Sequence, residues 1–481
     1  MAGDSGGSGA GLGDSFEGAR LMNAALKVLV YGLGRSGSGV AELLARQGHQ
    51  VMVYDSKPEE VTKLLAQGFM STSTPQEAEA QLCIAAPGVP YDHPDLSALR
   101  ARGIETIGEV EWVYRSVEAE IIGITATAGK GTVTRWLSDV LTLAGFKAPA
   151  GGNIDPPLSQ VAESGAILVT ELSSFQLERC PSLKPKIAII MNLGRDHLDR
   201  HGSLENYHLA KYQLLKNLDE SSHFIFNADD PLLPLWASQT RAKAYSYSLD
   251  PAKARWVNAY RSAEGDLYMF GRKLLHQGEL CIKGSHHHGN ALAVALAANL
   301  KGVSDGVIAE GLRQFKGIEG RYSLVDSLSG VDFIEDSIAT RGLAVKAALG
   351  SSPHPTVWIL GGQDKGADFA ELKDLIAEKV VLALLIGQAA PQFAQALEGL
   401  CPYQILNEKD GYKALSLACH EAFSHLKQSK SAEGTVLLAP LAASFDQFKD
   451  YKDRAKAFRQ AVAELKLKLS PQDSPQLVEA D

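Results

Sequence analysis

Residues 123–141 read GITATAGKGTVTRWLSDVL. A β-branched run over 121–125 leads into a turn of small residues holding Gly129-Lys130. A helical pattern follows, with Val133, Leu137, Val140 and Leu141 on one face. Strand, glycine turn and helix in that order make backbone N–H groups converge at a helix N-terminus. There they favour anions, and a lysine reaches the β- and γ-phosphates of a nucleotide. The usual phosphate-loop pattern, G-x-x-x-x-G-K-[ST], nevertheless fails twice. Five residues separate Gly123 from Gly129, and Gly131 stands where a magnesium-binding hydroxyl is expected. A working ATP loop, a decayed one and an unrelated turn are all compatible with this stretch alone.

Beyond it, short apolar runs alternate with helical patterns along the whole chain, the mark of an α/β protein. Residues 27–55, KVLVYGLGRSGSGVAELLARQGHQVMVYD, read strand, glycine turn, helix, strand, and QLCIAAPGVP (81–90) ends another strand in a Pro-Gly break. A second block runs from the 121–141 unit through strands at 166–172, 186–193 and 223–230. A third holds strands at 356–366, 380–387 and 434–440. Each block sends strands into Gly- or Asp-bearing loops, where open α/β sheets place ligands. Three domains are assigned, 23–117, 118–318 and 319–470. They lie between a Gly/Ser-rich leader (1–22), expected to be disordered, and an aperiodic tail (471–481). Met22 is an alternative start.

Composition narrows the function classes. A length of 481 residues suits two to four domains. No apolar run reaches the roughly 18 residues of a membrane-spanning helix, and the N-terminus lacks the basic flank and apolar core of a secretory signal. A net charge of −9 disfavours nucleic-acid binding, which needs clustered cations. Five scattered cysteines without a C-x-x-C pair fit a reducing cytoplasm rather than a disulfide framework or zinc site. No interface-forming apolar helix is evident, so a monomer is expected.

Gly32-Leu33-Gly34-Arg35-Ser36-Gly37 follows a strand, and Asp55 ends the next one. Such glycines let a diphosphate approach a helix N-terminus, and the acidic residue accepts from ribose or base. NAD and a UDP-containing ligand would use the same features. Downstream, TELSSFQLE (170–178) puts Glu171 at a strand end, where a carboxylate can hold Mg²⁺ near a phosphate loop. MNLGRDHLDRHGS (191–203) gathers two Asp, two His and two Arg after a strand, a density that points to metal and phosphate chemistry. NYHLAKYQLLK (206–216) is expected to be a helix carrying Lys211 and Lys216.

With ELSSFQLE, DHLDRH, NADD (227–230), GGNI (151–154) and the Gly129-Lys130 loop in this order, the chain resembles the Mur ligases. ELSSFQLE and GLGRSG are most similar to the D-glutamate-adding branch. The resemblance implies three α/β domains: a Rossmann-like N-terminal domain for the UDP substrate, a central P-loop-type ATPase domain, and a Rossmann-like C-terminal domain for the amino acid. It implies an ATP- and Mg²⁺-dependent ligase of cytoplasmic peptidoglycan-precursor synthesis. Its substrates would be UDP-N-acetylmuramoyl-L-alanine and D-glutamate.

Carried onto this sequence, the resemblance assigns Gly34, Arg35, Ser36, Asp55 and Ser56 to UDP, and Asn153 and Ser173 to the muramoyl-alanine end. Thr127, Ala128, Gly129, Lys130, Gly131 and Thr132 fall on the ATP loop, and Asn290, Arg321 and Asp336 on further ATP contacts. Glu171, His197 and Thr132 are implied for metal. Lys211 matches a lysine that family members carry as a carbamate, an anion that binds metal and positions the γ-phosphate. Lys130, Lys211 and His197 are the implied catalytic group, His197 as metal ligand rather than base. Thr340, Lys365, Ser444 and Tyr451 match positions that hold D-glutamate, for which a lysine and hydroxyl donors are suited.

Departures from the family pattern cluster in the ATP machinery. The loop lacks the family's first glycine (Ala126), its asparagine (Ala128) and the hydroxyl after lysine (Gly131). Within GSHHHGN (284–290) Asn290 is kept while His287 replaces an asparagine, and Ile338 and Arg341 replace a lysine and an asparagine. Consecutive histidines rarely point at one ion, so His286, His287 and His288 are not assigned to zinc. Glu171, His197 and Lys211 all remain, which favours a ligase over its rivals. Those rivals are a non-catalytic UDP-sugar-binding relative with a decayed loop and an NAD-dependent oxidoreductase. A Mur ligase with another acceptor, or a folate-polyglutamylating relative, would differ in acceptor rather than chemistry.

Overall fold

The computed structural model describes residues 25–469 except 283, 319, 353–354, 365, 368 and 430–432. The leader, Met22, the tail and Lys365 therefore lie outside the described residues. The chain forms two compact units: residues up to Gln277 with Gly289–Leu312, and Gly278–His288 with Arg313 onward. Three sheets carry them, two in the first unit and one in the second.

The first sheet contains β1 (Lys27–Tyr31), β2 (Gln50–Tyr54), β3 (Met70–Ser71), β4 (Leu82–Ala85) and β5 (Glu105–Ile107), all parallel, in the order β3-β2-β1-β4-β5. Four of the five residues of β1 are buried, as expected of a parallel strand covered on both faces. The chain crosses from one side of β1 to the other, so β1 ends at the switch point where such sheets bind ligands. The glycine turn follows, and the helix Arg35–Arg46 leaves it. A Cβ on Gly37 would lie 1.8 Å from the Gly32 carbonyl oxygen, so the turn admits no side chain there.

The second sheet holds nine strands in the order β14-β13-β12-β11-β10-β9-β6-β8-β7. They are β6 (Glu120–Thr125), β7 (Ala150–Gly152), β8 (Ile167–Glu171), β9 (Ile187–Ile190), β10 (His223–Asn227), β11 (Lys243–Ser248), β12 (Ala259–Arg261), β13 (Asp266–Met269) and β14 (Arg272–His276). β6 pairs in parallel with β8 and β9, and the registers Ile124↔Glu171 and Thr125↔Ile190 bring three carboxyl ends together. The loops that follow these ends carry Gly129-Lys130, the 172–178 turn and the 191–203 cluster. The helix Lys130–Leu143 then buries Val133, Leu137, Val140 and Leu141 completely, the face its periodicity predicts. Val28, Val40, Trp112, Leu158 and Leu168 belong to one continuous core, so the two sheets of the first unit share their apolar interior.

In the second unit, β15 (Ser323–Leu328), β16 (Val331–Glu335), β17 (Thr356–Gly361), β18 (Val380–Ile386), β19 (Tyr403–Ile405) and β20 (Gly434–Leu438) order as β15-β16-β20-β17-β18-β19. Only β15 runs antiparallel to its neighbour. Separate apolar clusters cover its two faces, one around Phe333, Phe423 and Phe458, the other around Trp358, Phe369 and Phe393.

One helix differs from expectation. It spans Leu204–Tyr212, begins on a Ser203 cap whose hydroxyl accepts from Asn206 N, and tightens into a 3₁₀ turn over Gln213–Leu215. Lys211 lies inside it and is buried, whereas Lys216 lies beyond its end.

Candidate active site

At the carboxyl end of β1 the glycine turn opens on a cavity of about 330 Å³, within the span of small-molecule sites. Gly34, Arg35, Ser36, Asp55 and Asn153 share its wall with the loop over 86–89, Gly152 and Gln176. Asp55 braces the turn, its two carboxylate oxygens accepting from Leu33 N at 2.6 Å and Lys57 N at 2.9 Å. Ser36 donates to Glu109, which also accepts from Ser159 N at 2.8 Å and Ser159 Oγ at 2.6 Å. Burial raises the Glu109 carboxyl above its ordinary range despite these donors. Arg35 sits 3.5 Å from Asp155. Ser56 is exposed and lies off the cavity wall. Ser173 is also off the wall, but its reciprocal capping bonds with Gln176 fix that lining residue.

From the same wall, Asn153 reaches the carboxylate at the end of β8. Its Nδ2 donates to Glu171 Oε1 at 2.6 Å, and its backbone N donates to the Glu171 carbonyl at 2.9 Å. Gly152 makes the approach possible. It holds φ at 109°, and a Cβ there would lie 2.4 Å from the Glu171 carbonyl oxygen. Glu171 is 1% exposed, and its other oxygen, Oε2, is buried without a hydrogen-bond partner.

The phosphate loop follows β6. Gly129, at φ 86°, opens the helix, and the Asn290 carboxamide stands over it. Lys130 Nζ folds back onto the carbonyls of Ala126 (2.8 Å) and Thr127 (3.2 Å). Lys211 Nζ, 1% exposed, donates to the same Ala126 carbonyl at 2.9 Å beneath the Tyr207 ring. Burial first, and the Lys130 charge second, lower the Lys211 ammonium to about 7, while Asp196 and Glu171 oppose the shift. A substantial neutral amine at physiological pH follows. Thr132 is buried in the first turn of the helix.

His197 holds φ at 51° at the head of the short helix Leu198–His201. Its Nε2 lies 3.3 Å from Asp196 Oδ2, and its ring stands 4.9 Å from that of Phe175. Among the described residues, no three His, Cys, Asp or Glu side chains form a ready-made metal cluster. The orphaned Glu171 oxygen is the feature that fits a cation. An unpaired buried acceptor costs about 1–3 kcal/mol, and magnesium keeps much of its shell in water and phosphate oxygens.

In the second unit, Asp336 is buried, and burial beside Glu335 pushes its carboxyl up to about 8. Arg321 and Thr340 are half-buried, Ser444 is buried and Tyr451 is exposed. His287 is buried and its imidazole is driven down to about 3 by desolvation and by its histidine neighbours.

Sequence reasoning missed Asn192. Its Oδ1 accepts from Thr127 N (3.1 Å) and Ala128 N (2.9 Å), and its Nδ2 donates to Ala128 O (3.0 Å). One carboxamide thereby braces the loop at the position where Ala128 has no polar side chain. It also missed Arg179, and it counted Arg200 only within the 191–203 cluster read for metal and phosphate chemistry; both arginines bind carbonyls of the cavity loop. A strand-end asparagine was the only available signal for Asn192. Arginines that meet backbone carbonyls leave none.

Residues 124–298 match the Mur ligase middle domain, and 26–108 the MurD-like N-terminal domain of Mur ligases. The UDP-N-acetylmuramoylalanine–D-glutamate ligase of Thermus thermophilus is 44% identical over 438 residues, covering 90% of this chain and 96% of the relative. That of Deinococcus radiodurans is 38% identical over 453 residues, covering 93% and 94%. Among solved structures, the MurF ligase of Thermotoga maritima in complex with ADP superposes with a TM-score of 0.55 at 14% identity over 92% of this chain and 97% of that one. The UDP-N-acetylmuramate-alanine ligase MurC of the same organism gives 0.54 at 18% identity, covering 92% and 100%. These two likenesses show the α/β fold of Mur ligases, carried in this chain on three sheets.

Proposed function

The chain belongs to the Mur ligases, and we propose that it joins D-glutamate to UDP-N-acetylmuramoyl-L-alanine with cleavage of ATP, the activity for which its Thermus and Deinococcus relatives are named. The observation that carries this reading is the Asn153–Glu171 contact. It joins a cavity suited to a nucleotide sugar to a carboxylate beside a phosphate loop, within one compact unit.

The UDP moiety lies along Gly34, Arg35, Ser36 and Asp55, with Ser56 at its edge. Asn153 and Ser173 direct the muramoyl-alanine end towards the phosphate loop. ATP takes residues 127–132, with Asn290, Arg321 and Asp336 as further contacts. The L-alanine carboxylate attacks the γ-phosphorus, the bond to the β-phosphate oxygen breaks, and ADP leaves an acyl phosphate. The neutral amine of D-glutamate then attacks the acyl carbon, phosphate departs, and the amine proton is lost to solvent. Thr340, Lys365, Ser444 and Tyr451 are assigned to D-glutamate.

For this chemistry Lys130 swings from the Ala126 carbonyl to the transferring phosphoryl group, where positioning and charge supply most of the acceleration. Glu171, His197, Thr132 and Lys211 as a carbamate would hold magnesium. When bound, the ion neutralises charge on the phosphate oxygens. The lowered basicity of Lys211 supports that modification, because only a neutral amine adds to carbon dioxide. The described residues include no helix long and apolar enough to cross a membrane. We assign the work to a cytoplasmic monomer acting on small molecules, without nucleic-acid or membrane partners.

The test is product analysis. Incubation with UDP-N-acetylmuramoyl-L-alanine, D-glutamate, ATP and Mg²⁺ should yield the amide-linked product by mass spectrometry. Binding of the UDP substrate without product would instead mark a non-catalytic relative.

A further inference from the structure

The segment over 192–200 is tied down at both ends, and each tie belongs to a different ligand site. At its start the Asn192 carboxamide holds Thr127 and Ala128, and Gly194 N donates to Thr127 Oγ1 at 2.8 Å. At its end Arg200 donates from Nη1 to Gly88 O at 3.3 Å and from Nη2 to Val89 O at 2.9 Å. Gly88 and Val89 line the nucleotide-sugar cavity. Asp196 and His197 lie between the ties, with His197 held in the left-handed region.

Both anchors are built rather than casual. Arg200 stacks over Phe175, its guanidinium 4.9 Å from the ring centre, and lies 3.6 Å from Glu178. Val89 O also accepts from Arg179 Nη2 at 2.8 Å, a side chain 1% exposed, so Arg200 reads a carbonyl that a second, buried arginine shares. The guanidinium fork suits this task, because its donors lie in one plane and carry a permanent charge.

From this geometry we infer that Arg200 is a positioning residue that couples occupancy of the nucleotide-sugar cavity to the phosphate loop through the 192–200 strap. A UDP-linked substrate seated against residues 86–89 sets the position of Gly88 and Val89. Arg200 follows those carbonyls and draws His197 with it, and Asn192 transmits the same displacement to Thr127 and Ala128. Coupling of this kind is reciprocal, so each ligand raises the affinity for the other by one common factor. The inference rests on the functional reading above, which supplies the two ligands.

The experiment measures dissociation constants of the full chain for the β,γ-imido analogue of ATP with Mg²⁺, alone and with saturating UDP-N-acetylmuramoyl-L-alanine. In the unaltered protein the UDP substrate tightens analogue binding about fivefold or more. In Arg200→Ala the factor falls to about one, whatever the change in either binary affinity. Arg200→Lys, a point charge in place of a fork, restores part of it and serves in full if the alanine variant does not fold. A factor of one in the unaltered protein, or an undiminished factor in both variants, overturns the coupling and leaves the ligase reading standing. Absence of binding by either ligand overturns both.

Discussion

Asn153 donates to Glu171 Oε1 at 2.6 Å while lining the cavity assigned to the nucleotide sugar. One side chain thereby belongs to two sites, the sugar cavity and the carboxylate next to the phosphate loop. A hydrogen bond to a charged group contributes about 1.5–3 kcal/mol, equivalent to roughly 10–100-fold in rate. Asn153→Ala should therefore lower kcat/KM for the UDP substrate by that factor, as steady-state kinetics will read, with little change in KM for ATP. An unaltered kcat/KM would separate the two sites.

Lys130 and Lys211 share the Ala126 carbonyl; Lys130 is assigned to the transferring phosphoryl group, and Lys211, as a carbamate, to the metal. Lys130→Ala should reduce turnover by about 10²–10³ or more, while calorimetry finds binding of the UDP substrate nearly unchanged. Retained turnover would detach the loop from phosphoryl transfer.

The Lys211 ammonium sits at about 7 in the folded chain, against its ordinary value near 10.5. Between those values the unfolded chain binds more protons than the folded one, so stability from this group rises with pH. Below about 7 both states are charged and the burial cost is felt in full. The melting temperature of the unaltered protein, measured without bicarbonate, should thus gain on that of Lys211→Met as pH rises above 7. Parallel melting curves across that window would mean that Lys211 is not desolvated. Activity should also become bicarbonate-dependent most readily above pH 7, where the neutral amine is abundant.

Gly152 combines φ 109° with a Cβ position 2.4 Å from the Glu171 carbonyl oxygen. Gly152→Ala forces both a left-handed alanine and a displaced β8 end, for about 1–3 kcal/mol. Thermal denaturation should show a melting point several degrees lower, and kcat should fall with it because Asn153 and Glu171 move together. A variant with unchanged melting point and rate would contradict the tight packing at this junction.

Much of this organisation is legible in the chain itself. The apolar face Val133, Leu137, Val140 and Leu141 is buried as its spacing predicts, and the glycine turn, Asp55 and Asn153 meet at one cavity. Local periodicity and glycine placement carry that information, because they set where strands end and helices begin. Contacts made through backbone carbonyls were not legible. Arg179 and Arg200 recognise the 86–90 loop from about a hundred residues away, and a carbonyl is common to every residue. Asp55 lines the cavity as its position suggests, but that its carboxylate also braces Leu33 N and Lys57 N is not readable from residue type. Lys216 fell beyond its helix because the chain tightens at Gln213, a change of pitch that apolar spacing does not encode.

The most direct test of the central claim is phosphate release from ATP with Mg²⁺, UDP-N-acetylmuramoyl-L-alanine and D-glutamate, each omitted in turn. Sustained release is expected only with the complete set, and none when L-glutamate replaces the D-isomer. Tight binding of the UDP substrate with no phosphate release would contradict it, and would mean that Ala126, Ala128 and Gly131 mark a phosphate loop that no longer works.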